Sequence, residues 1–468
     1  MYALVTDYGV GCLIAYVCFF LLTKGFAGQL LRGVALPYFQ SHFGIGLSEY
    51  HHLYAAVLLL PWCLKPVFGI LSDVFPIAGK RKKYYVLASM ATMVAACAVM
   101  FEATLKEATA AYAAASVSIV CTDLLFEASY AEQLRDRARV SGTTLVTWCW
   151  ATVTVGGAIA AIAAGTLGDS GLFRLAFGLA AIGPVATFSV VAAGLLPETP
   201  RKGSGPAAGL VALGVTIATA AITLTVFLEH GDNTARLIAP LCMTALVFIA
   251  AAHVQRPVVV CANFFLFLVE ATSVNFVGAT DYFYTAQCSD TPRFSYTFYV
   301  TCTLLLGALF SLVGLACFRA IDHWPLKSVF STLAAARVAL AAAEVAQAAR
   351  WNVGTIDDRT FFVFGEAIMQ PVVSMMFFMP MVILTSRLVD KEAEALTYAI
   401  LAGTQNFGGL VGAALGAYFT AAYDIKVCEF ERLPFALVVG HMTLPLVLIP
   451  AAHLLLPNVS VGAKDRKN

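Results

Sequence analysis

The chain has 468 residues, 60% of them hydrophobic and 12% charged, with a mean hydropathy of +0.81 and a formal net charge of +1. Ordinary soluble domains carry roughly 25% charged residues, so this composition excludes a water-soluble enzyme built on one or two cores. Apolar residues run along the whole length, which leaves no room for a sizeable soluble domain and nothing basic enough to suggest a nucleic-acid partner. The chain reads as an all-α polytopic membrane protein, with the lipid bilayer as its first partner.

A bilayer core about 30 Å thick takes about 20 apolar residues per helix. On that ruler the sequence offers candidate spans at 12–39, 49–71, 84–105, 110–130, 143–167 and 172–196, then two shorter and purely apolar ones at 210–228 and 237–254. The last six are 258–284, 294–318, 328–348, 360–388, 395–422 and 435–456. Ahead of them, residues 1–11 hold only Asp7 and no basic residue, which argues against a cleaved leader and makes the first span the expected insertion signal. Gly and Ala are frequent in the spans and a period of two is absent, so helix packing is expected rather than a membrane barrel.

Between the second and third spans lies Pro61 to Tyr84, a helix that ends through Gly69, Ser72 and Asp73 and then a loop carrying Lys80, Arg81, Lys82 and Lys83. Such basic turns mark the inner face of a membrane chain. Assigning loops alternately places 17 Lys and Arg inside, among them this run, Arg135 and Arg387, against 8 outside, among them Lys106, Arg174 and Lys426. Both termini are therefore expected to be cytosolic, in the plasma membrane. The twelve cysteines are scattered, without CxxC pairs or histidine clusters at metal spacing, so no metal or cofactor is expected. Cys288 and Cys428 fall in polar connections assigned to the same outer side, which leaves a disulfide between them open.

Pro197 to Pro206 is the clearest linker, rich in Pro, Gly and charge. A shift of 252 lays Arg135 on Arg387, Arg139 on Lys391 and Gly156-Gly157 on Gly408-Gly409, and the stretch Phe19 to Lys24 resembles Phe265 to Glu270. The economical reading is a repeat. Residues 1–196 form a six-helix half, 197–256 a linker with two extra membrane helices, and 257–468 a second six-helix half.

Gly69, Asp73, Gly79 and Arg81 resemble a stretched form of the loop between helices two and three in the major facilitator superfamily. The fuller string Pro61-Trp62, Lys65-Pro66, Gly69, Ser72-Asp73 is similar to the folate-biopterin transporter family within it. So are Asp281-Tyr282-Phe283-Tyr284-Thr285 with Pro292, Phe294 and Ser295, then Gly354 to Asp357, and Asn406-Phe407-Gly408. The turn Val389-Asp390-Lys391-Glu392 departs from the family pattern, which expects Cys-Pro there. The resemblance implies the major facilitator fold, two six-helix bundles with the extra hairpin between them. It further implies import of a small-molecule substrate, a folate, biopterin or related pteridine, by alternating access with proton symport. Some relatives are thought to carry S-adenosylmethionine, so that substrate or another organic solute is the alternative. A receptor without flux would need a long extramembrane domain, and an enzyme a catalytic motif such as HExxH or GxSxG; neither is present.

An ionisable side chain in a span costs about 2.5–3.5 kcal/mol even on lenient insertion scales, so those present are the functional candidates. In the superfamily architecture the first, fourth, ninth and twelfth spans here would line the cavity. Lys24 and Arg32, about 80° apart around the first helix, suit a carboxylate-bearing substrate, or else pair with Glu270, Asp123 or Glu127. Asp123 and Glu127, one turn apart, are expected to carry protons, with a salt-bridge network as the rival. Glu270, Asp281 and Tyr282 are further substrate candidates, and Glu270 is open to a counter-ion or proton role. Asp73, Arg81 and Arg135 are expected to form an inner gate. Lys65 is expected to snorkel from the end of the second span, Arg337 and Glu344 to be an internal ion pair or neighbours of one, Tyr38 to join an interfacial aromatic belt, and His51 with His52 to be solvated. The transporter is expected to be monomeric.

Overall fold

The computed structural model describes residues 2–136, 142–198, 207–321, 323–388 and 394–457. Among these residues the chain is helical, with no β-structure beyond two isolated bridges. A short helix, Tyr2–Tyr8, ends at Gly9, whose φ of 81° an L side chain would resist. There follow α1 (Val10–His42), α2 (Leu47–Val74), α3 (Lys83–Val99), α4 (Leu105–Asp136), α5 (Gly142–Asp169), α6 (Phe173–Ala192), α7 (Ala208–His230) and α8 (Asn233–Val254). The rest are α9 (Pro257–Ala271), α10 (Val277–Thr285), α11 (Tyr296–Ile321), α12 (Leu326–Ala348), α13 (Asp358–Thr385), α14 (Glu394–Ala422) and α15 (Leu433–Leu455). Among the described residues, eleven stretches are long and apolar enough to cross a membrane, and α3 and α9 are apolar but shorter.

Every span expected from hydropathy meets a helix, and the ninth meets two. Its helix unwinds over residues 272–276 and resumes as α10. The local cause is a run of side chains that compete for backbone groups. Thr272 and Ser273 donate to the Leu268 and Val269 carbonyls at 2.8 and 2.9 Å, and the Asn275 carboxamide accepts from the Val277 amide at 2.8 Å. The Asn275 amide in turn donates to the Gly412 carbonyl of α14 at 3.1 Å. Irregular backbone at membrane depth survives only when it is satisfied in this way or lines a cavity.

The other ends are conventional. Asp232 caps α8, Ser295 caps α11 and Asp357 caps α13 through their side chains. Hydrogen bonds from Thr360 hold the exposed Asp357 carboxyl below its ordinary range. Wider π-helical turns interrupt α1 at Val17–Ala27, α13 at Val363–Ile368 and α15 at Val438–Thr443. These three of the six such turns among the described residues carry ionisable residues used below, Lys24, Glu366 and His441.

The chain forms two compact units. The first comprises Met1–Ile45, Ala56–Ala208 and Ser295–Ala308, and the second Gly46–Ala55, Gly209–Phe294 and Leu309–Asn468. In the first, α5 packs on α1 at Gly156, where an added Cβ would stand on the Leu21 carbonyl and 2.8 Å from the Phe26 nitrogen. In the second, α14 packs on α9 at Gly408, where it would stand 2.5 Å from the Phe267 carbonyl and 3.0 Å from Glu270 Cβ. Gly156 and Gly408 are matched by the shift of 252, and Leu21 and Phe267 hold the same place in the two matching stretches, Phe19 to Lys24 and Phe265 to Glu270. The repeat therefore builds the same helix-on-helix approach twice.

Candidate functional site

In the first unit, four ionisable side chains from α1, α2 and α4 meet inside the bundle. Lys24 Nζ lies 2.6 Å from Asp123 Oδ1, and Lys65 Nζ lies 3.1 Å from Asp123 Oδ2 and 3.0 Å from Glu127 Oε2. The Asp123 side chain is wholly buried and that of Lys65 is 6% exposed. The indoles of Trp150 and Trp62 stand 4.6 Å from Lys24 Nζ and 5.1 Å from Lys65 Nζ. Two cations thus answer two carboxylates with no charge left over. This corrects the expectation for Lys65. Its helix pauses at Leu64 and restarts at Lys65-Pro66, which aims the ammonium at α4, where two carboxylates one turn apart replace the headgroup water it would otherwise seek.

The loop between α2 and α3 is a folded unit. Ala78 and Gly79 both have positive φ and reverse the chain between Ile77 and Lys80. Arg81 Nη1 lies 3.5 Å from Asp73 Oδ1. The Glu198 carboxylate accepts from the Arg81 and Lys82 amides, the second at 2.9 Å. Glu198 belongs to the stretch that the sequence reading treats as linker. The Arg135 side chain lies outside the described residues.

The second unit holds a cavity of about 400 Å³ lined by α9, α11, α12 and α13. Glu270, Ser273, Ser311, Arg337, Gln370 and Ser374 supply its polar wall, and Phe377 and Phe378 supply ring faces. Arg337 stands 5.9 Å from the centre of the Phe377 ring. Its positive charge acts on Glu270, although neither residue closes a salt bridge among the described residues. Beside this cavity lies a second acidic group. Tyr284 donates to Glu366 and is stacked on Phe294 at 5.7 Å. Glu344 Oε2 is 2.6 Å from His441 Nδ1, and His441 Nε2 is 2.7 Å from the Val274 carbonyl in the unwound segment. Glu344 is thus engaged directly by His441 of α15, and Arg337, on which its charge still acts, is a neighbour of that pair, the second of the two arrangements expected.

Other expected residues fall as follows. Arg32 is exposed on α1, Asp281 is half-buried, and Tyr282 is buried with its ring 6.1 Å from that of Tyr50. Tyr38 is buried rather than interfacial, because Phe173, Phe177 and Tyr112 enclose it and the Met100 carbonyl takes its hydroxyl. His51 is likewise 3% exposed rather than solvated, its Nε2 donating to the Ala413 carbonyl at 2.8 Å. The sequence reading missed Arg337 as a cavity residue, and His441 and Glu198 altogether. For His441 the signal was there: an imidazole in the middle of an apolar window.

Residues 24–468 match the model of the BT1 family. The folate-biopterin transporter of Synechocystis sp. is 25% identical over 413 residues, which cover 87% of this chain and 74% of that protein. The probable folate-biopterin transporter 6 of Arabidopsis thaliana is 23% identical over 428 residues, 90% of this chain and 78% of its own. Among solved structures, a POT family transporter in complex with a thioalcohol-conjugated peptide superposes with a TM-score of 0.69 at 12% identity, covering 96% of each chain. An auto-inhibited POT family peptide transporter does so at 0.70, also with 12% identity, covering 96% of this chain and 98% of its own. The fold is that of the major facilitator transporters. A family match over nearly the whole length, relatives that are transporters and many membrane-spanning helices lead to one conclusion: the chain is a multi-pass membrane transporter, not an enzyme, and belongs to the BT1 family.

Proposed function

We propose that this transporter imports a folate, a biopterin or a related pteridine by alternating access, driven by protons. The observation that carries the reading is the cavity between α9, α11, α12 and α13. At about 400 Å³ it is within the size range of small-molecule sites. Its chemistry suits a flat, polar heterocycle. The Glu270 carboxylate accepts paired N–H groups from a 2-aminopyrimidinone edge, and Phe377 or Phe378 covers a ring face at about 1 kcal/mol per good aromatic contact. Arg337 is the bidentate partner for a carboxylate on the substrate. Since Lys24 is already held by Asp123, Arg337 takes over the role that the sequence reading gives to Lys24. The names of the two relatives favour the same substrate class.

The disulfide between Cys288 and Cys428 supports placing the α10–α11 and α14–α15 loops on the oxidising side. That agrees with cytosolic termini in a plasma-membrane protein. The test is an uptake panel. Cells without folate or biopterin uptake that express this chain should accumulate labelled folate or biopterin, faster with an inward proton gradient. Glu270→Gln should abolish uptake while the protein still reaches the membrane. Surface-expressed protein that carries labelled S-adenosylmethionine and neither pteridine would overturn the substrate class.

A further inference from the structure

The contacts of His441 restrict where protons lie in the second unit. The Val274 carbonyl is an acceptor only, so the imidazole Nε2 must carry a hydrogen to bond it at 2.7 Å. On the other side of the ring, Nδ1 stands 2.6 Å from Glu344 Oε2. A lone pair on Nδ1 facing an ionised carboxylate would be repulsive at that separation, so a hydrogen must lie between them. It belongs either to an imidazolium facing a carboxylate or to a neutral imidazole facing a carboxylic acid. In both arrangements the pair holds one proton more than a neutral histidine beside an ionised glutamate.

The surrounding charges ask for the same thing. On α12, Glu344 and Arg337 are the charges that act on His441. Glu270, at the end of α9, acts on Arg337. Glu366 on α13 is acted on by Glu344 and by Asp281 of α10, and Tyr284 of α10 bonds to it. The titratable groups that α14 carries are Glu394, Tyr398 and Tyr418. Three glutamates therefore face one arginine even before Asp281 is counted, and buried charge without a partner is costly. In the first unit Lys24 and Lys65 already neutralise Asp123 and Glu127.

We propose that His441 and Glu344 form a proton-binding site that fastens the unwound segment between α9 and α10 to α12 and α15. Losing the proton sets a lone pair against a carboxylate and releases the link. Nε2 keeps its hydrogen through that loss, so the ring stays tied to the Val274 carbonyl, at the one place where the ninth span has no helix, while its hold on α12 is given up. The site deepens the proton-driven reading above and rests on it for its transport consequence, whereas proton occupancy is measured without any substrate.

The experiment uses purified full-length protein in nanodiscs, substrate-free, with ring-labelled histidine, followed by infrared spectroscopy near pH 8. Solvated histidines are neutral there. Wild type should retain either an imidazolium signal or a protonated-carboxyl band that disappears in Glu344→Gln, while any band of Glu270 or Glu366 stays in both and cancels in the difference spectrum. The glutamine keeps a hydrogen bond to Nδ1, so the variant is expected to fold. If wild type shows neither signal, the site is wrong, a result that needs no variant. A difference spectrum with neither feature, from folded Glu344→Gln, also overturns it. The second arm is uptake of labelled folate into proteoliposomes. Glu344→Gln should lose accumulation against a gradient and keep substrate exchange. Failure of wild type to move folate would strike the substrate reading and leave the proton result standing.

Discussion

Asp123 is the residue on which the first unit's polar interior turns, because its carboxylate bonds both lysines. Its removal would leave Lys24 without its carboxylate and Lys65 with one of its two carboxylate bonds. Breaking a buried pair from one side costs about 3–5 kcal/mol, since a charge is stranded in low dielectric. Asp123→Ala should therefore lower the thermal unfolding midpoint of the purified protein sharply. Lys24→Met in that background should recover part of the loss, because it removes the stranded cation. Additive losses in the double variant would mean that the two residues do not share a pair. Glu198 is a milder case. It holds two backbone amides at the end of the α2–α3 loop, and Glu198→Gln weakens a charge-assisted acceptor by about 1–2 kcal/mol. Its readout is faster proteolysis within residues 74–82, with no change in the thermal midpoint of comparable size.

At the scale of helices, the neighbouring glycines of α14 make a matched experiment. At Gly408 a methyl group has to displace backbone of α9, whereas at Gly409 nothing lies within 4 Å. Overpacking costs about 1–3 kcal/mol, and alanine in a helix is about 1 kcal/mol better than glycine. Gly408→Ala should thus destabilise and slow transport, while Gly409→Ala should be neutral or stabilising by differential scanning fluorimetry. Equal effects would show that α14 and α9 do not approach closely at that glycine. The pairing of Gly156 with α1 predicts the same outcome for Gly156→Ala in the first unit. These two contacts were legible in the sequence as recurring Gly-Gly pairs, because close approach leaves a compositional trace. The break at 272–276 was not, because Thr272, Val274 and Phe276 keep the window apolar while Ser273 and Asn275 redirect its hydrogen bonds.

Across the whole molecule, bilayer thickness makes the spans easy to read and packing makes the sites hard. Every span read from length and hydropathy meets a helix, since the hydrocarbon core allows little freedom. The ion pairs join residues 58, 62 and 99 apart, and no local pattern tells a lysine whether it will find headgroups or a carboxylate on another helix. The proposed orientation, with cytosolic termini, rests on two independent features, the excess of basic residues in alternate loops and the bond between Cys288 and Cys428, 140 residues apart. They make a joint prediction. A membrane-impermeant reductant added to intact cells should open the disulfide and expose both thiols to an impermeant maleimide. Cys288→Ser should lower the thermal midpoint, with about 5 kcal/mol as the ceiling for a freely unfolding loop of this length and less here, because the intervening helices stay in the bilayer. A bond that resists the impermeant reagent but yields to a permeant one would put these loops in the cytosol. Basic-residue bias would then have misled, and the direction of transport would have to be argued afresh from the opposite face.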